Sequence, residues 1–576
     1  MIRILRFLRR YAARYLHWYA AGALALLFTN WVAVTVPLYL ADGIDALEQG
    51  RAHEVPGIAV TVMALGVLVI AVRTASRLLF FTPGRLVEAE VKRDLFATLM
   101  RHQPTFVRRW PPADVISRAS SDVNHIRLLS GFGILQVVNT TAAVALTGVQ
   151  MVRISPDLAA LVLLPVVVGL LLTQVFIRRM FTLVRRLQRR LAALGDHILA
   201  SYRGVASVQA FNAHDAFVHE FSSRNDAYLR TALERANIRT AIGPLLALAG
   251  SVNAFLLLYY GGPMVIEGEI TIGELVAFTT LIAYLVQPLR SVSFLLAIVK
   301  EAESSVERAE EILAPEPERP DLPNPLAAPG APPAVSIRGL TFGYPGMPAV
   351  LHDVEVGVPA GGTLGVVGPT GAGKSTLLSC LARLYNPPEG TVFVDGEDIR
   401  RIDLDGWRRT MTLVPQRAYL FSESLQDNVL LSSPSDGRLE RALAAAALEV
   451  DVAALPDGVA TQVGEAGLTL SGGQRQRVAL ARALVRDKSV LLLDDVLSAV
   501  DHATERDLIG TLREEEGATT VIVAHRLSAV QHADVILVLE EGRVTATGTH
   551  AELVQRPGFY QQTWYRQADL HAEETA

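Results

Sequence analysis

Cysteine is nearly missing from this chain: Cys380 is the single one among 576 residues. One thiol excludes an intrachain disulfide framework and any cysteine-built zinc site, and it leaves Cys380 to be read as a small buried apolar residue. Charge of one sign is also missing. Lysine and arginine number 53 against 58 aspartates and glutamates, for a net charge of -5, so the basic excess of a nucleic-acid binder is absent and no such partner is expected. Internal repeats are lacking, and a cleavable leader is not expected. The basic start MIRILRFLRRYAARY runs into an apolar stretch longer than a signal-peptide core, without a clear small-residue cleavage site, and reads as a retained first membrane helix. Low complexity is confined to residues 313–334, LAPEPERPDLPNPLAAPGAPPA. Prolines at that density exclude a regular helix or a sheet interior, and the segment reads as a linker.

The chain is too long for one hydrophobic core. Hydrophobic residues make up 50% and mean hydropathy is +0.30, the average expected of an apolar half joined to an ordinary one. Six apolar stretches, near 16–41, 57–81, 129–152, 157–178, 241–264 and 271–298, are long enough for a bilayer core of about 30 Å, which takes roughly 20 helical residues. The second holds Arg73 and Arg77 and the last Gln287 and Arg290, side chains that face protein, water or headgroups in tilted helices. Arg3, Arg6, Arg9, Arg10 and Arg14 before the first stretch place the amino terminus in the cytoplasm, as do the arginine-rich segments 82–128 and 178–240 for their own sides. Apolar positions at Leu86, Val91, Leu95 and Leu99, and at Leu183, Leu187, Leu191 and Leu194, predict that the membrane helices continue far into the cytoplasm. After the linker, runs such as VSIRGLTF, GTLGVVG, SVLLLDD and TVIVAH alternate with helical stretches, the pattern of a mostly parallel sheet with crossover helices. The expected layout is a transmembrane domain over 1–312, a linker over 313–334, a nucleotide-binding domain over 335–566 and a polar tail over 567–576.

Chemistry is concentrated in that second half. Gly368, Pro369, Thr370, Gly371, Ala372, Gly373, Lys374, Ser375 and Thr376 follow the apolar strand TLGVV and open a helix. Glycines let backbone N–H groups turn around phosphate oxygens, the helix N-terminus adds partial positive charge, Lys374 reaches the β/γ-phosphates, and the Ser375 hydroxyl is a Mg2+ ligand. About 120 residues on, SVLLLDD ends in Asp494 and Asp495. A carboxylate at a strand end beside a phosphate loop can hold Mg2+, so Asp494 is the expected second half of an ATP and Mg2+ site.

The segment LSGGQRQRVALARAL, Leu470 to Leu484, resembles the signature of ABC-transporter ATPases, and the pentapeptide Leu470, Ser471, Gly472, Gly473, Gln474 is its most family-specific part. The resemblance implies that this helix N-terminus caps the γ-phosphate of ATP held by an opposite subunit, so that two ATPs are sandwiched in a head-to-tail dimer. Further positions match in order. Tyr344 is similar to the aromatic that stacks on adenine, Gln416 to the glutamine that contacts Mg2+ and the attacking water, and His525 in VIVAHRLS to the switch histidine at the γ-phosphate. Ser498, Ala499, Val500 and Asp501 resemble the loop crossing the dimer interface, and Glu465 the acidic residue that senses the membrane domain. Residues 1–310 resemble the exporter group: FVRRWPPADVISRASSDVNHI and YRGVASVQAFNAHDAF are similar to its two intracellular coupling regions. The fold implied is a multidomain membrane protein, an all-α six-helix transmembrane domain with long intracellular helices plus an α/β P-loop ATPase domain with a helical subdomain.

One position departs from the pattern. The family usually has glutamate after the magnesium aspartate, as general base for the attacking water, and here Asp495 stands there. Its carboxylate is one methylene shorter, and general-base catalysis depends first on reach. The expectation is a site that binds ATP well and hydrolyses it slowly, as in one half of heterodimeric multidrug-type exporters; a homodimer using Asp495 as a weaker base is the alternative. The function implied is ATP-driven export of a small amphipathic or hydrophobic substrate by alternating access across the cell membrane, with an importer on the same scaffold and an ATP-regulated channel as rivals. Asn30, Asn139, Gln150, Gln174, Asn253 and Gln287 are candidates for the substrate cavity, though amides in membrane helices also bind neighbouring helices together.

Overall fold

A computed structural model describes residues 2–314, 325–431, 433–434, 437–464, 467, 469–486, 488–497, 500, 502–514 and 517–575. The chain divides into two compact units, Met1–Met100 with Trp110–Pro315, and Arg101–Arg109 with Glu316–Ala576.

The first unit is helical. The six apolar stretches correspond to the helices Leu16–Glu48, Val55–Arg101, Ile134–Ile154, Pro156–Arg203, His214–Ile266 and Ile272–Leu313, with the start of the third stretch in a π-helical turn, Leu129–Gly133, and Thr271 of the sixth as a helix N-cap. Among the described residues Ala13–Glu48, Ala52–Arg101 and Pro112–Ile154 are long and apolar enough to cross a membrane, with shorter apolar runs at Pro156–Gly169, Gly250–Ile266 and Ile272–Val286. At 1.5 Å per residue, the 48-residue helix Pro156–Arg203 is about 72 Å long, far more than a bilayer core of about 30 Å. Prolines 37, 83, 165, 244, 263 and 288 lie inside these helices, where neighbouring helices can satisfy the freed carbonyls.

The buried stripe on Val55–Arg101 runs through Val87, Val91 and Leu95, whereas Leu86 is 39% exposed. Likewise Leu183, Leu187 and Leu194 are buried and Leu191 is 45% exposed. The predicted helices are present, but Leu86 sits one position off the stripe, which turns it about 100° away from the contact face, whereas Leu191 keeps the four-residue step from Leu187 and is exposed all the same. At the end of the last helix, buried Asp122 accepts from Arg308 (Nε, 2.7 Å, and Nη2) and from the Ser305 hydroxyl at 3.0 Å. Arg118, also buried, bonds Asp114 and Glu311 and lies 4.0 Å over the Trp110 ring. The pairs Arg308–Asp122 and Arg118–Glu311 bind the segment 106–126, predicted as a coupling region, to residues 308–311.

The second unit holds two sheets. Strands β1 (Val335–Gly343), β2 (Ala349–Val358), β4 (Val392–Val394) and β5 (Glu397–Asp398) form an antiparallel sheet in the order β2-β1-β4-β5. Strands β3 (Thr363–Val367), β6 (Met411–Val414), β7 (Val490–Asp494), β8 (Thr519–Val523), β9 (Val535–Glu540) and β10 (Arg543–Gly548) form the other, ordered β10-β9-β3-β8-β7-β6. Every pairing from β9 to β6 is parallel and only β10 is antiparallel. β7 is buried at every position, as a strand covered on both faces must be, which explains its continuous apolar run. Helices Leu425–Leu430, Arg438–Ala445 and Gly472–Leu484 build a helical part with its own core around Leu443, Val478 and Leu480.

Candidate nucleotide site

Parallel alignment brings the carboxyl ends of β3, β8, β7 and β6 to one edge, where ligands bind in open α/β sheets. Each of those ends carries a predicted residue. β3 leads into Gly368, where an added Cβ would lie 2.0 Å from the Leu539 carbonyl oxygen on β9, so only glycine passes. The loop reaches Gly373 in a left-handed conformation, φ 98, which caps the helix Lys374–Leu381. That backbone is open to glycine and strained for other residues.

Lys374 is buried, and its ammonium donates to the carbonyls of Gly368 at 2.8 Å and Pro369 at 2.9 Å. Burial pulls its pKa down, against the opposing charges of Asp495 and Asp494. The Ser375 hydroxyl donates to the Asp494 carboxylate. Burial pushes the pKa of Asp494 up and the charge of Asp495 adds to this, while Ser375, Lys374 and His525 hold it back. Tyr344 bonds Thr376 (hydroxyl oxygens 3.0 Å apart) and meets Tyr385 edge-on at 5.0 Å.

Asp495 is buried with φ 52. Its Oδ2 accepts from the Gln416 amide at 3.3 Å, its Oδ1 from the His525 backbone N–H at 3.4 Å, and its own N–H donates to Val523 at 2.9 Å. Ser471 caps the signature helix Gly472–Leu484 by accepting from the Gln474 N–H, and the Ser471 N–H donates in return to Gln474 Oε1 at 2.8 Å. The Gln474 amide also donates to Asp451 at 2.8 Å. Ser471 and Gly472 are exposed, leaving this helix N-terminus open to an anion.

The description "ABC transporter transmembrane region" matches residues 19–289, and "ABC transporter" matches residues 351–498. The probable multidrug resistance ABC transporter ATP-binding/permease protein YheI of Bacillus subtilis is 33% identical over 569 residues, 96% of this chain and 96% of its own. The chain belongs to the ABC transporter family. The multidrug resistance-like ATP-binding protein MdlA of Escherichia coli is 30% identical over 98% of the chain and 96% of its own length. A bacterial Atm1-family ABC exporter with ATP bound superposes with a TM-score of 0.77 at 27% identity, covering 97% of this chain and 98% of the other. As an ABC exporter the chain hydrolyses ATP to drive transport, is a multi-pass protein of the cell membrane, and carries its ATPase domain on the cytoplasmic side.

The residues fit Mg2+. Two buried carboxylates, Asp494 and Asp495, stand beside one lysine that is spent on loop carbonyls, an oxygen-rich setting that favours a hard divalent cation. Ser375, Asp494 and Gln416 would hold the ion, which when bound neutralises phosphate charge.

Sequence reasoning passed over several residues. Buried Gln476, two positions past the signature, donates to the carbonyls of Gln416 at 3.3 Å and Asp495 at 3.0 Å. Arg482 on the same helix binds Asn428 and the Tyr419 carbonyl. Gln567, at the start of the predicted polar tail, lies instead inside the helix Phe559–Thr575, and its amide donates to the His525 carbonyl at 2.8 Å. A polar residue on an otherwise apolar helix face is the only signal the sequence offers for such ties. Glu465, Ser498, Ala499 and Asp501 lie outside the described residues; Val500 is buried.

In the membrane unit, Asn30 is buried and donates to Asn139 at 3.1 Å, while the Tyr284 hydroxyl donates to Asn30 at 2.6 Å. These two amides bind helices together. Asn253 is buried with no hydrogen-bond partner for its Oδ1, and Gln150 is half-buried. The side chains of Gln174 and Gln287 lie outside the described residues.

Proposed function

We propose that this chain is the slower-hydrolysing half of a dimeric exporter and that its partner is a different half-transporter. One observation carries the reading: Asp495, at the general-base position, is short, buried, and tied at both carboxylate oxygens to Gln416 and the His525 N–H. A base so placed cannot extend toward an attacking water, and catalysis falls off with reach.

In this reading Lys374 grips the β/γ-phosphates, Tyr344 stacks on adenine, His525 contacts the γ-phosphate, and the loop at Ser498, Ala499, Val500 and Asp501 crosses the interface. The intact Ser471-capped helix closes over ATP held by the partner and so completes the competent site. ATP binds the closed pair of ATPase domains more tightly than the open pair, and that difference turns the membrane bundles from inward-facing to outward-facing. The cargo is a small amphipathic or hydrophobic molecule, and Asn253, with a buried oxygen left to be satisfied, is the amide best suited to meet it.

The test is to purify the full-length chain alone and with candidate half-transporters, and to measure ATPase activity and transport in vesicles. Turnover that appears only in the mixed pair supports the proposal; robust transport by the lone chain refutes it.

A further inference from the structure

The switch histidine sits just past the end of β8, where the sheet ladder no longer fixes the backbone. Gln567 supplies what the ladder does not. Its Nε2 donates to the His525 carbonyl at 2.8 Å, and its Oε1 accepts from the Leu527 N–H at 3.0 Å. A carboxamide offers one donor edge and one acceptor edge, so this side chain pairs with the turn as a neighbouring peptide group would.

The opposite side of the turn is held as well. Glu505, buried, accepts from Arg526 and from the Ser528 hydroxyl at 2.5 Å, and Arg526 also donates to the Val500 carbonyl at 3.3 Å. The helix bearing Gln567 is itself anchored. Tyr560 is buried with its hydroxyl 2.8 Å from His550 Nδ1, and Trp564 meets the His550 ring edge-on at 4.5 Å. Its apolar side joins a core that includes Val367, Ala524 and Leu527, the residues at the start of the phosphate loop and on either side of the histidine turn.

We propose that Gln567 is a positioning residue for the nucleotide site, setting the His525 backbone so that its N–H meets Asp495 and its side chain meets the γ-phosphate. The inference rests on the reading of His525 as a γ-phosphate contact. It makes the last helix part of the ATPase machinery and not a tail.

The test uses the full-length transporter in its assembled form and reads hydrolysis at this chain's own site, as vanadate-trapped, photo-cross-linked azido-adenine nucleotide on this chain. Gln567→Leu is expected to slow trapping about tenfold at saturating Mg-ATP, since misplacing a reacting group by about 1 Å can cost up to about 100-fold, with the half-saturating concentration unchanged. Gln567→Glu keeps the acceptor for Leu527 but sets a carboxylate against the His525 carbonyl, and is expected to slow it as well; it serves should the leucine variant not fold. In a His525→Ala background, Gln567→Leu is expected to add nothing. Trapping at the wild-type rate in Gln567→Leu, or an equal slowing in both backgrounds, overturns the inference alone. Unchanged trapping in His525→Ala itself overturns the reading of the site together with the inference.

Discussion

Replacing Asp495 by glutamate separates reach from every other property of the site, because charge and burial are kept while the carboxylate advances by one methylene, about 1.5 Å. Two of the contacts that hold the aspartate carboxylate back are 3.3 Å to Gln416 and 3.4 Å to the His525 N–H, and a side chain longer by one methylene can reach past them. A gain of 1–2 Å toward the attacking water is of the size that changes rates by about 10- to 100-fold. Asp495→Glu is therefore expected to speed hydrolysis at this chain's own site by about that factor at saturating Mg-ATP. The substitution carries an opposite effect on stability. Position 495 has φ 52, a conformation that aspartate visits more readily than glutamate, and the strain on a longer side chain is about 1 kcal/mol. For a domain of this size that lowers the melting temperature by about 2–4 °C. The assay is nucleotide trapping on this chain, alongside thermal unfolding in detergent. A glutamate variant that hydrolyses no faster than the parent would refute the argument from reach.

Gln476→Leu removes the side chain that binds the carbonyls of Gln416 and Asp495; kcat for ATP is expected to fall while KM holds, with a stability loss of about 1–3 kcal/mol from the unpaired carbonyls, measured by steady-state ATPase kinetics and melting. Asp494→Asn is expected to abolish Mg-dependent hydrolysis yet raise the melting temperature of the nucleotide-free protein, since burial disfavours the ionised carboxylate. The sign follows from linkage: with the folded-state pKa raised, ionisation of Asp494 weakens the fold as pH climbs through the interval above the ordinary carboxylate value, and Mg-ATP affinity falls as pH drops back through it. Both trends are read from binding and melting curves across acidic pH, and a flat profile contradicts them. Arg308→Ala removes the guanidinium that bonds the buried carboxylate of Asp122 and leaves it the Ser305 hydroxyl, at a cost of about 2 kcal/mol. Thermal unfolding in detergent measures it, and Asp122→Asn in the same background should recover part of the loss.

The nucleotide site was legible because its parts are local. The loop at Gly368–Thr376, Asp494 and His525 each sit where an apolar strand stops, and a parallel sheet gathers such strand ends at one edge. The six long helices were legible for a similar reason, since an apolar run of bilayer length has few other stable forms. Leu86 and Leu191 could not be sorted in this way: one lies a step off its helical stripe and the other keeps the helical spacing yet is exposed, and an apolar residue looks the same in sequence in either case. The amides behaved alike: composition could not tell that Asn30 and Asn139 would bond each other while the oxygen of Asn253 stays unbonded.

The sequence by itself determined that a glycine-rich loop with Lys374, the Asp494–Asp495 pair and His525 each follow an apolar strand, since those facts depend on residue type and neighbours along the chain. Only the tertiary structure decided that Gln476 joins Gln416 to Asp495 and that Gln567, 42 residues on, holds the His525 turn. Both are side-chain amides bound to backbone groups distant in sequence. A peptide carbonyl presents the same acceptor whatever residue bears it, so no residue pattern can record such a pairing before the chain has folded.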